Sequence, residues 1–198
     1  DCNNFYVSCE RLFQPNLEKK PVIVLSNNDG CVVSRSNEAK ALKIKMGIPV
    51  FKIKDLIKQH DIKVFSSNYA LYGDISDRVM RSLKQLVPTL EIYSIDEAFL
   101  ELSHFSPTAL QTLSQKIVIT IYQWTGIPVS LGIGSTKTLA KAANYMAKNQ
   151  QGQGGVCHFE AGCRYDFLST IDIAEIWGIG QRWAQQLKQI GIFNAQQL

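Results

Sequence analysis

Ser94-Ile95-Asp96-Glu97-Ala98-Phe99 sets two adjacent carboxylates among Ile92, Ile95, Ala98 and Leu100. An unpaired charge buried in such surroundings costs several kcal/mol. The segment therefore folds only where both acids reach water or a cation. Neighbouring residues on a regular strand point to opposite faces. At a junction of two strands, over 91–95 and 98–102, both acids can turn toward one point. One solution is an exposed hairpin tip with two solvated acids. The other is a divalent cation, for which hard oxygen ligands suit magnesium. The second solution needs a third carboxylate, and Asp1 is the candidate. Acids from separate strands can hold two metals roughly 3.5–4 Å apart, which activate an attacking oxygen and steady a leaving phosphate.

The pattern around this segment alternates short strands with long helices. Phe5, Cys9 and Leu12 recur at helical spacing, so a helix starts directly after Asp1–Asn4. Residues 21–26 and 31–34 flank Asn27-Asn28-Asp29-Gly30 and predict a hairpin. The spacing predicts helices over 36–45, 56–60, 69–90, 107–125 and 137–148, and strands over 63–66 and 128–133. A Gly-rich turn from Gly152 leads into a short strand ending at Phe159. Strands grouped with long helices on one side give an α+β layer rather than a doubly wound sheet.

Charge is unevenly placed. Residues 11–64 hold 11 Lys/Arg against 5 Asp/Glu, whereas 1–10 with 65–136 hold 4 against 8. An acidic centre between basic flanks fits cations inside and a polyanion outside, and it also fits ordinary solvated surface. The five cysteines form no C-x-x-C pair, which favours reduced thiols over a disulfide frame or zinc site. No run of about 18 apolar residues is present, so no membrane span is expected. The N-terminus lacks a secretion signal, and a cytoplasmic location is expected. The abrupt start at Asp1 and the helix-like beginning over Phe193–Leu198 read as cut ends of a longer chain.

Other segments offer phosphate contacts. A helix that starts beyond Asn4 presents the Phe5 and Tyr6 amides, and helix N-termini bind phosphates. Ser34, Asn37 and Lys40 open the next helix with a hydroxyl, an amide and a cation. Lys141 lies in the small-residue stretch Leu-Ala-Lys-Ala-Ala-Asn, where it can reach a phosphate as a point charge. Near the C-terminus two short helices flank Gly178-Ile179-Gly180, followed by a closing Gly191-Ile192. This is a helix-hairpin-helix pattern, whose amides hold a DNA phosphate without reading sequence. An ordinary αα-hairpin with a glycine turn gives the same spacing.

Asp-Cys-Asn-Asn-Phe-Tyr-Val-Ser-Cys-Glu, Leu-Ser-Asn-Asn-Asp-Gly-Cys, Met-Gly-Ile-Pro, Tyr-Ser-Ile-Asp-Glu-Ala-Phe, Lys-Thr-Leu-Ala-Lys and Trp-Gly-Ile-Gly follow one another along the whole chain. In this order and spacing the chain resembles the Y-family DNA polymerases, and within them the UmuC/MucB type. The resemblance implies an error-prone translesion polymerase of SOS mutagenesis that transfers nucleotides from a dNTP to a primer on template DNA. It implies that Asp1, Asp96 and Glu97 hold two Mg2+ ions, with the Cys2 carbonyl as a further ligand. Tyr6 becomes the steric gate against a ribose 2′-hydroxyl. The Phe5 and Tyr6 amides, Ser34, Lys40 and Lys141 hold the triphosphate, and Gly178, Ile179 and Gly180 meet DNA.

The resemblance also implies a palm of residues 1–5 and 70–162, built on a ferredoxin-like antiparallel sheet. Fingers follow over 6–69, and a partial thumb over 163–198. The little finger is absent. A UmuD-type dimer, RecA and the sliding clamp are the implied partners, in a bacterial, nucleoid-associated setting. Asn3 stands where many relatives carry a second acid, Asn37 where a phosphate-binding Tyr is frequent, and Lys40 where Arg is frequent, which forgoes bidentate contact. Two other readings stand beside the polymerase: a nucleotide cyclase on a similar palm, and an inactive DNA-binding scaffold with inert carboxylates.

Overall fold

The computed structural model describes residues 1–149, 155–159 and 166–198. The turn expected from Gly152, Cys163 and the thumb boundary near 163 lie outside these residues. The fold is α+β and divides into two units.

The first unit holds Cys2–Glu101 and Thr120–Pro128. Helix α1 (Phe5–Phe13) leads into a three-stranded sheet of β1 (Val22–Leu25), β2 (Val32–Arg35) and β3 (Lys63–Phe65), in the order β2-β1-β3. Strand β1 is central and buried along its length, as an unbroken apolar Val-Ile-Val-Leu run requires. It pairs antiparallel with β2 and parallel with β3. The β1–β2 turn is built by side chains. Asn28 Oδ1 accepts from the Gly30 N–H and the Ser26 hydroxyl, and Asp29 takes the left-handed conformation at φ 53°. Asx-type bonding of this kind substitutes for a tight two-residue turn.

Helices α2 (Asn37–Ala41) and α3 (Lys54–Gln59) connect β2 to β3. Helix α2 is shorter than the 36–45 expected. Ser36 caps it by accepting the Ala39 N–H, but Lys43 turns left-handed at φ 60°. Ile23, Leu25, Val32, Ala39, Ile44, Ile53 and Ile62 form the core beneath the sheet. Helix α4 (Tyr69–Leu86) is capped by Asn68 and packs on α1, with Tyr72, Ile75 and Val79 buried one turn apart. Strands β4 (Leu90–Ile92) and β5 (Ala98–Leu100) pair antiparallel, Ile92 opposite Ala98.

The second unit holds Asp1, Leu102–Ile119 and Val129–Leu198. Helix α5 (Pro107–Thr125) contributes its residues up to Ile119. Strand β6 (Leu131–Ile133) runs parallel to β7 (Val156–His158), and α6 (Lys137–Asn149) covers the pair. Gly132 permits this approach, because a Cβ there would collide with the backbone of Asn144 and Ala140. Helix α7 (Asp166–Thr170) precedes the Gly-Ile-Gly segment. The first of the two short helices expected there is a three-residue 3₁₀ turn, Ile173–Glu175, capped by Asp172; the second is α8 (Gln181–Gln189). Ala142, Ile171, Ile173, Ile176 and Ala184 share a core.

Candidate active site

The peptide joining Asp1 to Cys2 is fixed to the turn that carries the paired acids. The Cys2 N–H donates to the Asp96 carbonyl at 2.8 Å, and the Asn3 N–H donates to the Pro128 carbonyl at 2.8 Å. The β4–β5 turn closes when the N–H groups of Tyr93 and Ser94 both donate to the Glu97 carbonyl, at 3.0 and 3.1 Å. The Ser94 hydroxyl donates to Asp96 Oδ1 at 2.8 Å, which holds one carboxylate oxygen in place. Asp96 and Glu97 are half-buried. The sequence thus spends its short strands on presenting acids at a tip rather than on a long ladder.

The N-terminus of α1 follows three residues after Asp1. Asn4 occupies the left-handed region at φ 49°, a conformation asparagine tolerates better than most residues. Its side-chain amide donates to Asn37 Oδ1 at 3.1 Å. The Val7 N–H donates to Ser34 Oγ at 3.4 Å, so buried Ser34 stands at the first turn of α1. Lys40 is exposed on α2.

Tyr6 is packed rather than free. Its ring stacks on Tyr72 at 4.2 Å between centroids and meets Tyr69 edge-on at 6.3 Å. The Tyr72 hydroxyl donates to Glu10 Oε1 at 2.7 Å inside the unit. Burial raises the Tyr6 phenol above its ordinary value, with Tyr69, Asp96 and Cys9 adding to the effect, so Tyr6 stays neutral beside Asp96. Burial likewise pushes the Cys9 thiol up, which makes it a poor nucleophile.

In the second unit Asp1 is held by its backbone and its side chain. Its nitrogen donates to the Ser130 carbonyl at 3.0 Å, and its own carbonyl accepts the Ser130 N–H at 2.9 Å. Asp1 Oδ2 accepts from Asn144 Nδ2 at 3.1 Å and lies 2.7 Å from Lys148 Nζ. Lys141 Nζ lies 5.9 Å from the centre of the Trp177 ring, within cation–π range. Gly178 takes φ 89°, Ile179 donates back to the Ile176 carbonyl at 2.9 Å, and Gly180 starts α8.

Within the first unit, then, Cys2, Phe5, Tyr6 and Asp96 meet through hydrogen bonds, ring contacts or charge, Ser34 accepts from the Val7 amide of α1, and Glu97 closes the Asp96 turn. Asp1, Lys141 and the Gly178–Gly180 segment belong to the second. Sequence reasoning missed Tyr72, Ser94, Asn144 and Lys148. The signal for two of them was present: Lys141, Asn144 and Lys148 fall at i, i+3 and i+7 on one helical face. Among the described residues no group of three or more His, Cys, Asp or Glu is gathered as a metal site. The donor chemistry nevertheless fits a hard divalent ion, with carboxylate oxygens and a backbone carbonyl. Asp1 moreover already holds a cation, the Lys148 ammonium.

The model of one family, impB/mucB/samB, matches residues 1–145. The chain belongs to the impB/mucB/samB family. Two Salmonella typhimurium relatives are each 44% identical to this impB/mucB/samB chain: Protein ImpB over 100% of it and Protein UmuC over 98%. The chain covers 48% of ImpB and 47% of UmuC, about half the length of each. Among solved structures, the insertion ternary complex of Dbh DNA polymerase matches with a TM-score of 0.85 and 28% identity, over 98% of this chain and 57% of that one. Among the described residues no helix is long and apolar enough to cross a membrane.

Proposed function

We propose that this impB/mucB/samB chain is the catalytic part of an error-prone translesion DNA polymerase, which joins dNTPs to a primer 3′-end on template DNA. The observation that carries the reading is the 2.8 Å hydrogen bond from the Cys2 N–H to the Asp96 carbonyl, which ties the Asp1–Cys2 peptide to the Asp96–Glu97 turn. A family likeness to UmuC and a structural likeness to Dbh DNA polymerase support it.

In this reading Asp1, Asp96, Glu97 and the Cys2 carbonyl hold two Mg2+ ions. Bound there, such ions lower the pKa of the attacking 3′-hydroxyl and offset charge on the leaving pyrophosphate. The chain's own residues position the substrate. The Phe5 and Tyr6 amides at the start of α1 meet phosphate oxygens, helped by the helix dipole. Ser34, Lys40 and Lys141 add a hydroxyl and two cations to the triphosphate. Tyr6, braced by Tyr72, offers a flat wall to the sugar. Gly178, Ile179 and Gly180 hold a DNA phosphate through backbone amides.

The same reading assigns palm to 1–5 and 70–162, fingers to 6–69 and the start of a thumb to 163–198. It places the protein with DNA in the bacterial cytoplasm, alongside a UmuD-type dimer, RecA and the sliding clamp. Primer extension by the full-length parent with Mg2+ tests it. Asp96→Ala is expected to abolish extension while leaving the protein folded; synthesis retained in that variant overturns the assignment.

A further inference from the structure

Asn144 is a polar side chain only 8% exposed on α6, and the two ends of its amide are treated differently. Nδ2 donates to Asp1 Oδ2 at 3.1 Å, whereas Oδ1 is buried and meets no donor among the described residues. We propose that Asn144 is a positioning residue of the metal site, whose amide sets the rotation of the Asp1 carboxylate toward a bound divalent ion. This rests on the reading of Asp1 as a metal ligand.

The orphaned oxygen follows from the contact to Asp1. With the amide turned over, Oδ1 would face Asp1 Oδ2, and two acceptors with no proton between them repel. Asp1 therefore holds Asn144 with Nδ2 inward, and the carbonyl oxygen goes unsatisfied. A buried acceptor in that state opposes folding, and a leucine of similar size would avoid the loss. Stability alone gives no reason for an amide at this position. Orienting a carboxylate does.

Both ends of the contact are tied to one strand. Asp1 is paired with Ser130, directly before β6, through the hydrogen bonds of 3.0 and 2.9 Å. Asn144 lies over Gly132 of β6 so closely that a Cβ there would collide with its backbone nitrogen. With the two backbones fixed, the side-chain torsions of Asp1 remain, and the hydrogen bond to Oδ2 restrains them. Lys148 reaches the same oxygen at 2.7 Å, but from a side chain that is 38% exposed, so the buried contact is that of Asn144. Carboxylates that ligate metals are themselves hydrogen-bonded, and loss of such a partner weakens the metal.

Mn2+ binding, read from the free-ion electron paramagnetic resonance signal, and melting in a chelator test this on the whole chain. Asn144→Leu is expected to bind Mn2+ about tenfold or more weakly. It is also expected to melt within about 3 °C of wild type or above it, because removal of the orphaned oxygen offsets the lost hydrogen bond. Asp1→Ala loses the site, and Asn144→Leu is expected to change binding no further in that background. Asn144→Leu binding equal to wild type, where Asp1→Ala weakens it, overturns the proposal and leaves Asp1 as a ligand. An effect of Asn144→Leu that persists in the Asp1→Ala background overturns it as well. Wild-type binding that Asp1→Ala does not change, or no binding at all, overturns the ligand reading and the proposal with it. Should Asn144→Leu melt lower than expected or fail to fold, the side-chain amide resonance of wild-type Asn144 decides, read by NMR. Mg2+ is expected to shift it in wild type but not in Asp1→Ala; a resonance unmoved in wild type, or moved equally in both, overturns the proposal.

Discussion

The ring of Tyr6 lies on that of Tyr72, 4.2 Å between centroids and 12° from parallel. Tyr72 is fully buried and anchored by its hydroxyl to Glu10, which is itself 8% exposed. The wall that Tyr6 presents is therefore set by a residue of α4 and not by α1 alone. Tyr72→Phe keeps the stack but leaves the buried Glu10 carboxylate short of a donor. The expected cost is about 1–3 kcal/mol, read from urea unfolding, with sugar selectivity of the full-length parent unchanged.

Removing the wall itself has the opposite profile. Tyr6→Ala in the full-length parent is expected to raise ribonucleotide use relative to deoxynucleotide use by about tenfold or more, since the wall proposed to face the sugar is lost. Single-nucleotide insertion kinetics check this. The half-buried position of Tyr6 limits the accompanying loss of stability.

Acid should loosen the first unit through Glu38. Burial alone would raise its carboxyl, but its own backbone amide, the Ser36 hydroxyl and Arg11 at 2.9 Å bring it below the ordinary value. A folded value below the unfolded one means stability that is fully present above the unfolded value of about 4.3 and is lost as pH falls through the folded one. Glu38→Gln is expected to flatten that acid limb and to cost at most about 1 kcal/mol near neutrality, given its partial exposure. Denaturation midpoints between pH 3 and 7 read the effect.

Gly132→Ala tests the packing that places Asn144. A methyl group there meets the backbone of Asn144 and Ala140, so α6 has to move off β6. The expected loss is about 3 kcal/mol in chemical denaturation. Weaker Mn2+ binding should accompany it, because Asn144 orients Asp1.

How much of this was legible in the sequence depended on the range of the interaction. The start of α1 and the bounds of α5 followed from local pattern and from proline and glycine punctuation. Strand β1 was legible as an apolar run, although its turn is built by Asn28 and Asp29 rather than by the Asp-Gly pair alone. The first arm of the Gly-Ile-Gly segment read as a helix but is a single 3₁₀ turn, since the chain leaves helical geometry at Ile176, two residues before Gly178. The partners of Asp1 lie 143 and 147 positions away, and no periodicity reports what a helical face will meet. Tyr72 was legible as part of a buried stripe, yet its stack on Tyr6 arises only when α4 packs on α1.

The proposed function has Asp1 and the adjacent acids Asp96 and Glu97, distant from it in sequence, bind divalent ions together. Crystals of the protein grown with Mn2+, and their anomalous difference map, decide that assignment. The expected result is a peak coordinated by carboxylate oxygens of Asp1 and Asp96, with Glu97 alongside. Mn2+ peaks that none of these three carboxylates touches, at saturating metal, would contradict it.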